Sequence, residues 1–387
     1  MKKDGSYTMV AKTFFGLEDI LADELSAINA SDIYVRNRAV SFRGNREIMY
    51  KANLCLRTAI KVLKPLNSFS ATDEKSLYEG VRRIVWSDHI SPRDTFAVES
   101  VVNSKYFKHS GYAALKTKDA IVDSIRDATG ARPSVDTKDP GIRVNIHIAG
   151  RDCTVSLDSS GEPLYKRGYR TDHGMAPLNE SLAAGLVLMT GWKGGTAFLD
   201  PMCGSGTIVI EAAMIACCIP PNINREKFGF CGWKDFDEHL LDKLQKDTSK
   251  SITMSDVEIT ASDISEKAFR ITRQNIKNAG FENAGIRVLV RSFEELKPPG
   301  NEGVIVMNPP YDERIRSKDI NGFYKLIGDT LKKRFTGYDA WIISSNFEAL
   351  KHIGLRPSVK YDLYNGQLKA KYQQFKMYSG SLKTHKQ

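Results

Sequence analysis

The 387-residue chain is poor in the residues that build metal centres and disulfide frameworks. Its six cysteines (Cys55, Cys153, Cys203, Cys217, Cys218 and Cys231) are scattered, and none belongs to a Cys-x-x-Cys pair. The seven histidines are dispersed as well. Zinc requires clustered ligands, so no resident metal is expected, and the thiols read as reduced, packed side chains of a cytoplasmic protein. No apolar run approaches membrane-spanning length. The basic start Met1-Lys2-Lys3-Asp4 leads into no apolar stretch, which argues against a secretory signal and against a membrane partner. A third glycine is missing after Gly204 and Gly206. Val209 stands where the dinucleotide fingerprint needs it, so a nicotinamide cofactor is disfavoured.

What is present is ordinary for a globular protein of two or three domains: 41% hydrophobic and 26% charged residues. The net charge of +10 favours a polyanionic partner such as nucleic acid. Residues 1–170 hold 27 Lys and Arg against 21 Asp and Glu, so +6 of that charge sits in the first part.

Residues 1–60 read as a small α/β unit. Tyr7–Thr13 suits a strand, Leu17, Ile20, Leu21, Leu25 and Ile28 share one helical face, and Ile33–Val35 with Ala39–Phe42 suits a hairpin. Ile60–Leu66 and Thr95–Val102 continue as strands around a helix carrying Leu77 and Val81. A long helix over Tyr112–Asp127 follows, then a hairpin, Ile142–Ile148 with Cys153–Leu157. This alternation predicts a compact α+β region. Lys105, Tyr106, Phe107, Lys108, His109 and Tyr112 interleave cations with rings, a pattern that suits unpaired RNA bases and equally a solvated loop with one packed ring. Leu164-Tyr165-Lys166-Arg167-Gly168-Tyr169-Arg170 has the same character and reads as linker and substrate contact together. From residue 177 onward strands and helices alternate again. The strands are Thr196–Leu199, Glu258–Ser262, Ile286–Val290, Val304–Met307 and Ala340–Ser344, closing with a hairpin around Asn365-Gly366. That order predicts a mostly parallel sheet with an antiparallel edge. Residues 219–257 interrupt it, and their Phe228, Phe230, Trp233 and Phe236 predict a structured insertion.

Three strand ends carry chemistry-bearing residues. Asp200-Pro201-Met202-Cys203-Gly204-Ser205-Gly206-Thr207 follows one strand and opens a helix; its glycines let backbone approach a ligand, and the helix start offers N–H groups. Asp263 ends the next strand, where a carboxylate can accept both hydroxyl protons of a ribose or cap the following helix. Asn308-Pro309-Pro310-Tyr311 ends a third. Proline stops the strand and stiffens its tip. The Asn308 side-chain oxygen and the Pro309 carbonyl can accept the two N–H bonds of an aromatic amine, whose lone pair is otherwise delocalised into its ring. The Tyr311 ring can stack on the base.

Together, Asp200–Thr207, Asp263 and Asn308–Tyr311 resemble the class I S-adenosylmethionine-dependent methyltransferases of the amino-methylating type. The runs Ala176-Pro177-Leu178-Asn179-Glu180-Ser181-Leu182-Ala183-Ala184 and Glu211-Ala212-Ala213 narrow the resemblance to the bacterial 23S rRNA guanine-N2 methyltransferase family, whose members carry a THUMP RNA-binding domain. This implies a Rossmann-like α/β sheet with an antiparallel edge over 166–387. Ahead of it would stand an α+β RNA-binding region, ferredoxin-like over 1–60 and THUMP over 61–165. It implies S-adenosylmethionine as cofactor and large-subunit rRNA as partner. Pro177 and Leu178 would cover the cofactor. Asp200, Pro201, Gly204, Ser205, Gly206 and Thr207 would line its methionine end, and Asp263 and Ile264 its ribose side. Ser292 and Phe293 would stand where relatives often have an acidic residue for the adenine amine. Asn308, Pro309, Pro310 and Tyr311 would hold the target base, with Asn308 also touching the cofactor. The same tetrapeptide serves adenine-N6 and glutamine-N5 transfer, and a tRNA substrate fits it too. The N-terminal region argues against glutamine, and Pro310 in place of a cysteine argues against cytosine-C5 chemistry. A non-catalytic ribosome assembly factor is the reading from a different class.

Overall fold

The computed structural model describes residues 5–170, 178–253, 258–310 and 319–378. The chain forms two units. One comprises Met1–Thr13, Leu21–Leu164 and Asn222–Asp247, the other Phe14–Ile20, Tyr165–Pro221 and Thr248–Gln387.

The first unit carries β1 (Tyr7–Thr13), α1 (Glu18–Ala27), β2 (Ser31–Arg36), β3 (Ala39–Gly44), α2 (Arg46–Cys55), β4 (Ala59–Ser70), α3 (Glu74–Arg82), β5 (Thr95–Asn103), α4 (Ser110–Thr129), β6 (Ser134–Val135), β7 (Ile142–Ala149) and β8 (Asp152–Asp158). All eight strands join one sheet, in the order β2-β3-β1-β4-β8-β7-β5-β6. The boundary drawn at residue 60 falls inside this sheet. β4 runs past Leu66 to Ser70, pairing with β1 through its first residues and with β8 from Leu63 onward. Its register shifts between Pro65 and Asn67, because proline brings no N–H to the ladder and the strand passes it by a bulge. Residues 1–60 and 61–165 therefore share one sheet and one core. Phe107 is packed into that core, while Tyr106 and Tyr112 are exposed beside it.

The second unit carries α5 (Glu180–Met189), β9 (Ala197–Asp200), α6 (Thr207–Ala216), β10 (Ile259–Asp263), α8 (Glu266–Asn278), β11 (Arg287–Val290), β12 (Gly303–Met307), α9 (Ile320–Arg334), β13 (Tyr338–Ser344), α10 (Phe347–Lys351), β14 (Val359–Asn365) and β15 (Leu368–Lys376); the remaining helix, α7, spans Glu238–Ser249. The sheet order is β11-β10-β9-β12-β13-β15-β14. The first five strands are parallel, and the β14–β15 hairpin pairs antiparallel at the edge. Both faces are covered, which is why the parallel strands read as nearly continuous apolar runs. Phe198, Val304 and Val306 pack into one core; Ala197, Leu199, Ile305 and Met307 pack into the other.

The described part of the insertion between α6 and β10 is structured, as its aromatics predict, but Asn222–Asp247 belongs to the first unit although the sequence boundary places it in 166–387. Phe228, Phe230, Trp233, Leu241 and Leu244 are part of that unit's core. Among the described residues no helix is long and apolar enough to cross a membrane.

Candidate active site

The strand order of the second unit reverses between β9 and β12, and ligands in open α/β sheets bind at the carboxyl ends of strands at such a point. Asp200 ends β9, Asp263 ends β10, and Asn308 follows the last residue of β12. Strand pairing aligns them: Asp200 lies opposite Ala261, and Leu199 opposite Ile305.

The turn after β9 is held from several sides. Gly204 and Gly206 both have positive φ, 55° and 79°, which a side chain disfavours. A Cβ on Gly206 would also stand 2.7 Å from Thr272 Cγ2. Thr272 Oγ1 donates to Gly204 O at 3.0 Å, and Asn275 Nδ2 donates to Ser205 O at 2.9 Å, so α8 pins the turn. Gly204 N–H donates to Asp263 Oδ2 at 3.0 Å, and Ser265 N–H to Oδ1 at 2.9 Å. Ser265 itself is the N-cap of α8. Asp263 thus buttresses both the turn and the helix start, and a carboxylate with four acceptor positions retains capacity for a diol.

Two cavities open along this edge. One, of about 400 Å³, is lined by Leu178, Asp200, Met202, Cys203, Gly204, Ser205, Thr207 and Asn308, among others. The second, of about 560 Å³, is lined by Pro201, Met202, Asp263, Ile264, Ser292, Phe293, Asn308, Pro310, Phe323 and neighbours. Met202 and Asn308 line both. Ile264 is 79% exposed at the lip of the second. Phe293 is buried and stacks on Phe335 at 5.2 Å, so its ring belongs to the core while the segment around it forms cavity wall. Gly206 and Pro309 are buried next to the lining residues. Pro177 and Tyr311 lie outside the described residues.

Asp200 is buried, and its carboxyl accepts a hydrogen bond from Met202 N–H at 3.2 Å. Burial pushes its carboxyl up to about 8; the Met202 bond acts in the opposite direction, and the charge of Asp263 adds to the rise. Such a group suits a cation placed against it. Behind the tip of β12, Tyr324 Oη lies 2.7 Å from Ser344 Oγ and donates to Pro310 O at 3.4 Å, so α9 and β13 brace the proline pair.

Of the run Leu164–Arg170, expected as linker and substrate contact together, the unit boundary does fall between Leu164 and Tyr165 and Lys166 is exposed, but Arg167, Tyr169 and Arg170 turn to carboxylates inside the protein. Tyr169 is buried, and its hydroxyl donates to Glu211 Oε1 at 3.0 Å. Arg167 Nε lies 3.6 Å from the same oxygen with both side chains fully buried, and Arg170 Nη2 lies 3.4 Å from Glu180 Oε1. The signal was available in α6, where Glu211 is a single carboxylate in the apolar run Thr207–Ala216 and therefore demands a buried partner. Met202 was passed over because a thioether between Pro201 and Cys203 carries no charge pattern.

A parallel sheet with an antiparallel end hairpin, a glycine turn after β9 and paired cavities at the reversal define a class I methyltransferase, whose cofactor is S-adenosylmethionine. Residues 167–374 match the model of the RMKL-like methyltransferase domain, and the chain belongs to that family. Residues 71–158 match the THUMP domain and residues 8–63 the RlmL ferredoxin-like domain. The ribosomal RNA large subunit methyltransferase K/L of Syntrophotalea carbinolica is 38% identical over 372 residues, 93% of this chain and 52% of that protein. The chain spans about half the length of the K/L relatives it matches. A candidate RNA methyltransferase of Synechocystis, slr0064, is 36% identical over 366 residues, 94% of this chain and 95% of that one. The crystal structure of SMU.472, a methyltransferase candidate complexed with SAH, matches with a TM-score of 0.88 at 29% identity, covering 98% of this chain and 100% of that one.

Proposed function

We propose that this protein transfers a methyl group to the exocyclic N2 amine of a guanine in large-subunit rRNA. The observation that carries the reading is the placing of Asn308, on a braced, proline-stiffened strand end, at the wall common to both cavities. When bound, S-adenosylmethionine supplies an electrophilic methyl on a sulfonium. The residues present fit it. Asp200 would face the cationic end, the Gly204–Thr207 turn and the start of α6 would offer donors, and Asp263 would offer acceptors to the ribose. Leu178 and Pro201 would close around it, and Ile264, Ser292 and Phe293 would frame the adenine, with Pro177 completing the cover.

The chain's own part in the reaction is orientation. Asn308 Oδ1 and the Pro309 carbonyl accept the amine's two N–H bonds, which localises the nitrogen lone pair for attack. Pro309 and Pro310 keep those acceptors in place, and Tyr311 would hold the base by stacking. The THUMP match, the basic first part and the names of the relatives support an RNA substrate, and the K/L names support large-subunit rRNA. Nucleosides from rRNA of a deletion strain, analysed by mass spectrometry, should lack one N2-methylguanosine that the complemented strain restores. An unchanged N2-methylguanosine content, with another modified base missing, would refute the assignment.

Asp200 gives a separate expectation. With its carboxyl near 8, the group is mostly neutral at pH 7, and a cation bound against it favours the ionised form. Because the folded value is raised, the stability that Asp200 contributes is full below about 4, the usual range of Asp, and is lost as pH rises through about 8. S-Adenosylmethionine binding at pH 7 should therefore release close to one proton, and Asp200→Asn should release none. Calorimetry in buffers of different ionisation enthalpy measures this, and equal release by both proteins would exclude Asp200 as the source.

A further inference from the structure

Arg170, a largely buried cation behind α6, is bonded to residues that form the wall of a cavity. Arg167 and Tyr169 both meet Glu211 Oε1 inside the second unit, and a buried cluster of that kind is by itself only a structural device. Arg170 does more. Its Nη2 donates to Leu178 O at 2.7 Å and to Thr207 Oγ1 at 3.0 Å. Thr207 Oγ1 lies 3.1 Å from Ser205 Oγ. Leu178, Thr207 and Ser205 all line the cavity of about 400 Å³.

Counting protons gives this chain of contacts a direction. A guanidinium has donors and no acceptor, so Thr207 Oγ1 accepts from Arg170. Thr207 is buried, and leaving its own proton unpaired is costly. Ser205 Oγ is in range to take it. The Ser205 hydroxyl, having accepted from Thr207, then has its proton to give to whatever fills the cavity. Gly206, the N-cap of α6, makes no side-chain capping bond, so the helix start adds donors of the same sign. Asp200 is the acceptor in the same cavity. Donors at Ser205 and an acceptor at Asp200 complement the carboxylate and ammonium of an α-amino acid.

We propose that Arg170 is a positioning residue which, through Thr207, orients the Ser205 hydroxyl as a donor and so makes this cavity selective for ligands carrying an amino-acid carboxylate. The inference rests on the reading of the cavity as the methionine end of the cofactor site. Calorimetry on the full chain with two ligands tests it: S-adenosylhomocysteine, and 5′-methylthioadenosine, which keeps the nucleoside and lacks the amino acid. Thr207→Val and Arg170→Met should each weaken S-adenosylhomocysteine binding roughly tenfold and change 5′-methylthioadenosine binding less than about twofold. Ser205→Ala should cost about the same, and the Ser205→Ala/Thr207→Val pair no more than either alone, because one relay is broken once. Arg170→Met also strips Glu180 of its partner; should it fail to fold, the nearly isosteric Thr207→Val decides. Equal losses for both ligands, no loss for either, or additive losses in the pair would overturn the relay. A wild-type chain that binds neither ligand would instead remove the cofactor reading beneath it.

Discussion

Asn308→Ala is expected to lower kcat for methyl transfer by about 10²- to 10³-fold while changing S-adenosylhomocysteine affinity by less than about fivefold. The strand that leads to Asn308 is held by its own pairing and burial. Gly303–Met307 is buried throughout and is paired with β9 on one side and β13 on the other, Met307 lying opposite Ile342. Pro309 and Pro310 fix the following backbone, and Tyr324 braces it from behind. Alanine therefore leaves the tip where it is and removes one acceptor. The second acceptor, the Pro309 carbonyl, remains, so the amine can still enter but has one of its N–H bonds without a partner. Loss should appear in kcat rather than in cofactor binding, because the interaction matters most where the nitrogen becomes tetrahedral. Asn308→Asp keeps an oxygen acceptor of the same reach and should recover part of the rate. An alanine variant with wild-type turnover would end the role assigned to Asn308, and so would an aspartate variant as slow as alanine with unchanged RNA binding.

The parts of this protein that could be read from its sequence are those where local chemistry decides local structure. Ser265 before an amphipathic helix, Asn365-Gly366 between two strands, and a glycine turn after an apolar run ending in Asp200 each specify their own geometry, and the structure has a cap, a hairpin and a strand-to-helix turn at those places. Where pairing partners lie far apart along the chain, the sequence was silent. Basic and aromatic residues in Leu164–Arg170 have the same composition whether they meet RNA or, as Arg167, Tyr169 and Arg170 do, the carboxylates of Glu211 and Glu180. The strand expected over Ile60–Leu66 goes on to Ser70, and only the ladder to β8 shows that it bulges past Pro65 and continues. The aromatics of 222–247 announced a packed segment, but nothing in their spacing told which core they fill.

That last ambiguity leads to the second large expected effect. Phe230→Ala should destabilise the first unit by about 3–5 kcal/mol and leave S-adenosylhomocysteine affinity within about twofold, although residue 230 lies in the midst of the sequence that forms the methyltransferase. Its ring is fully buried, stacks on Tyr50 at 4.1 Å and on Phe228 at 5.1 Å, and belongs to the core beneath the eight-stranded sheet. The segment is tied to the same unit by polar contacts as well. Asn222 donates to Leu54 O and Asn53 O, and Arg225 donates to Ser160 O, Glu162 O and Pro163 O. Emptying the ring's site removes apolar burial and leaves a cavity among rigid neighbours that can close over it only in part. A loss of that size is a large fraction of the stability of a typical domain, about 5–15 kcal/mol. Hydrogen exchange should therefore rise along β4, β7 and β8, while the amides of β9, β10 and β12 keep their protection. The opposite pattern, with exchange rising around β9 and cofactor affinity falling, would mean that 222–247 supports the methyltransferase unit and not the sheet of the first.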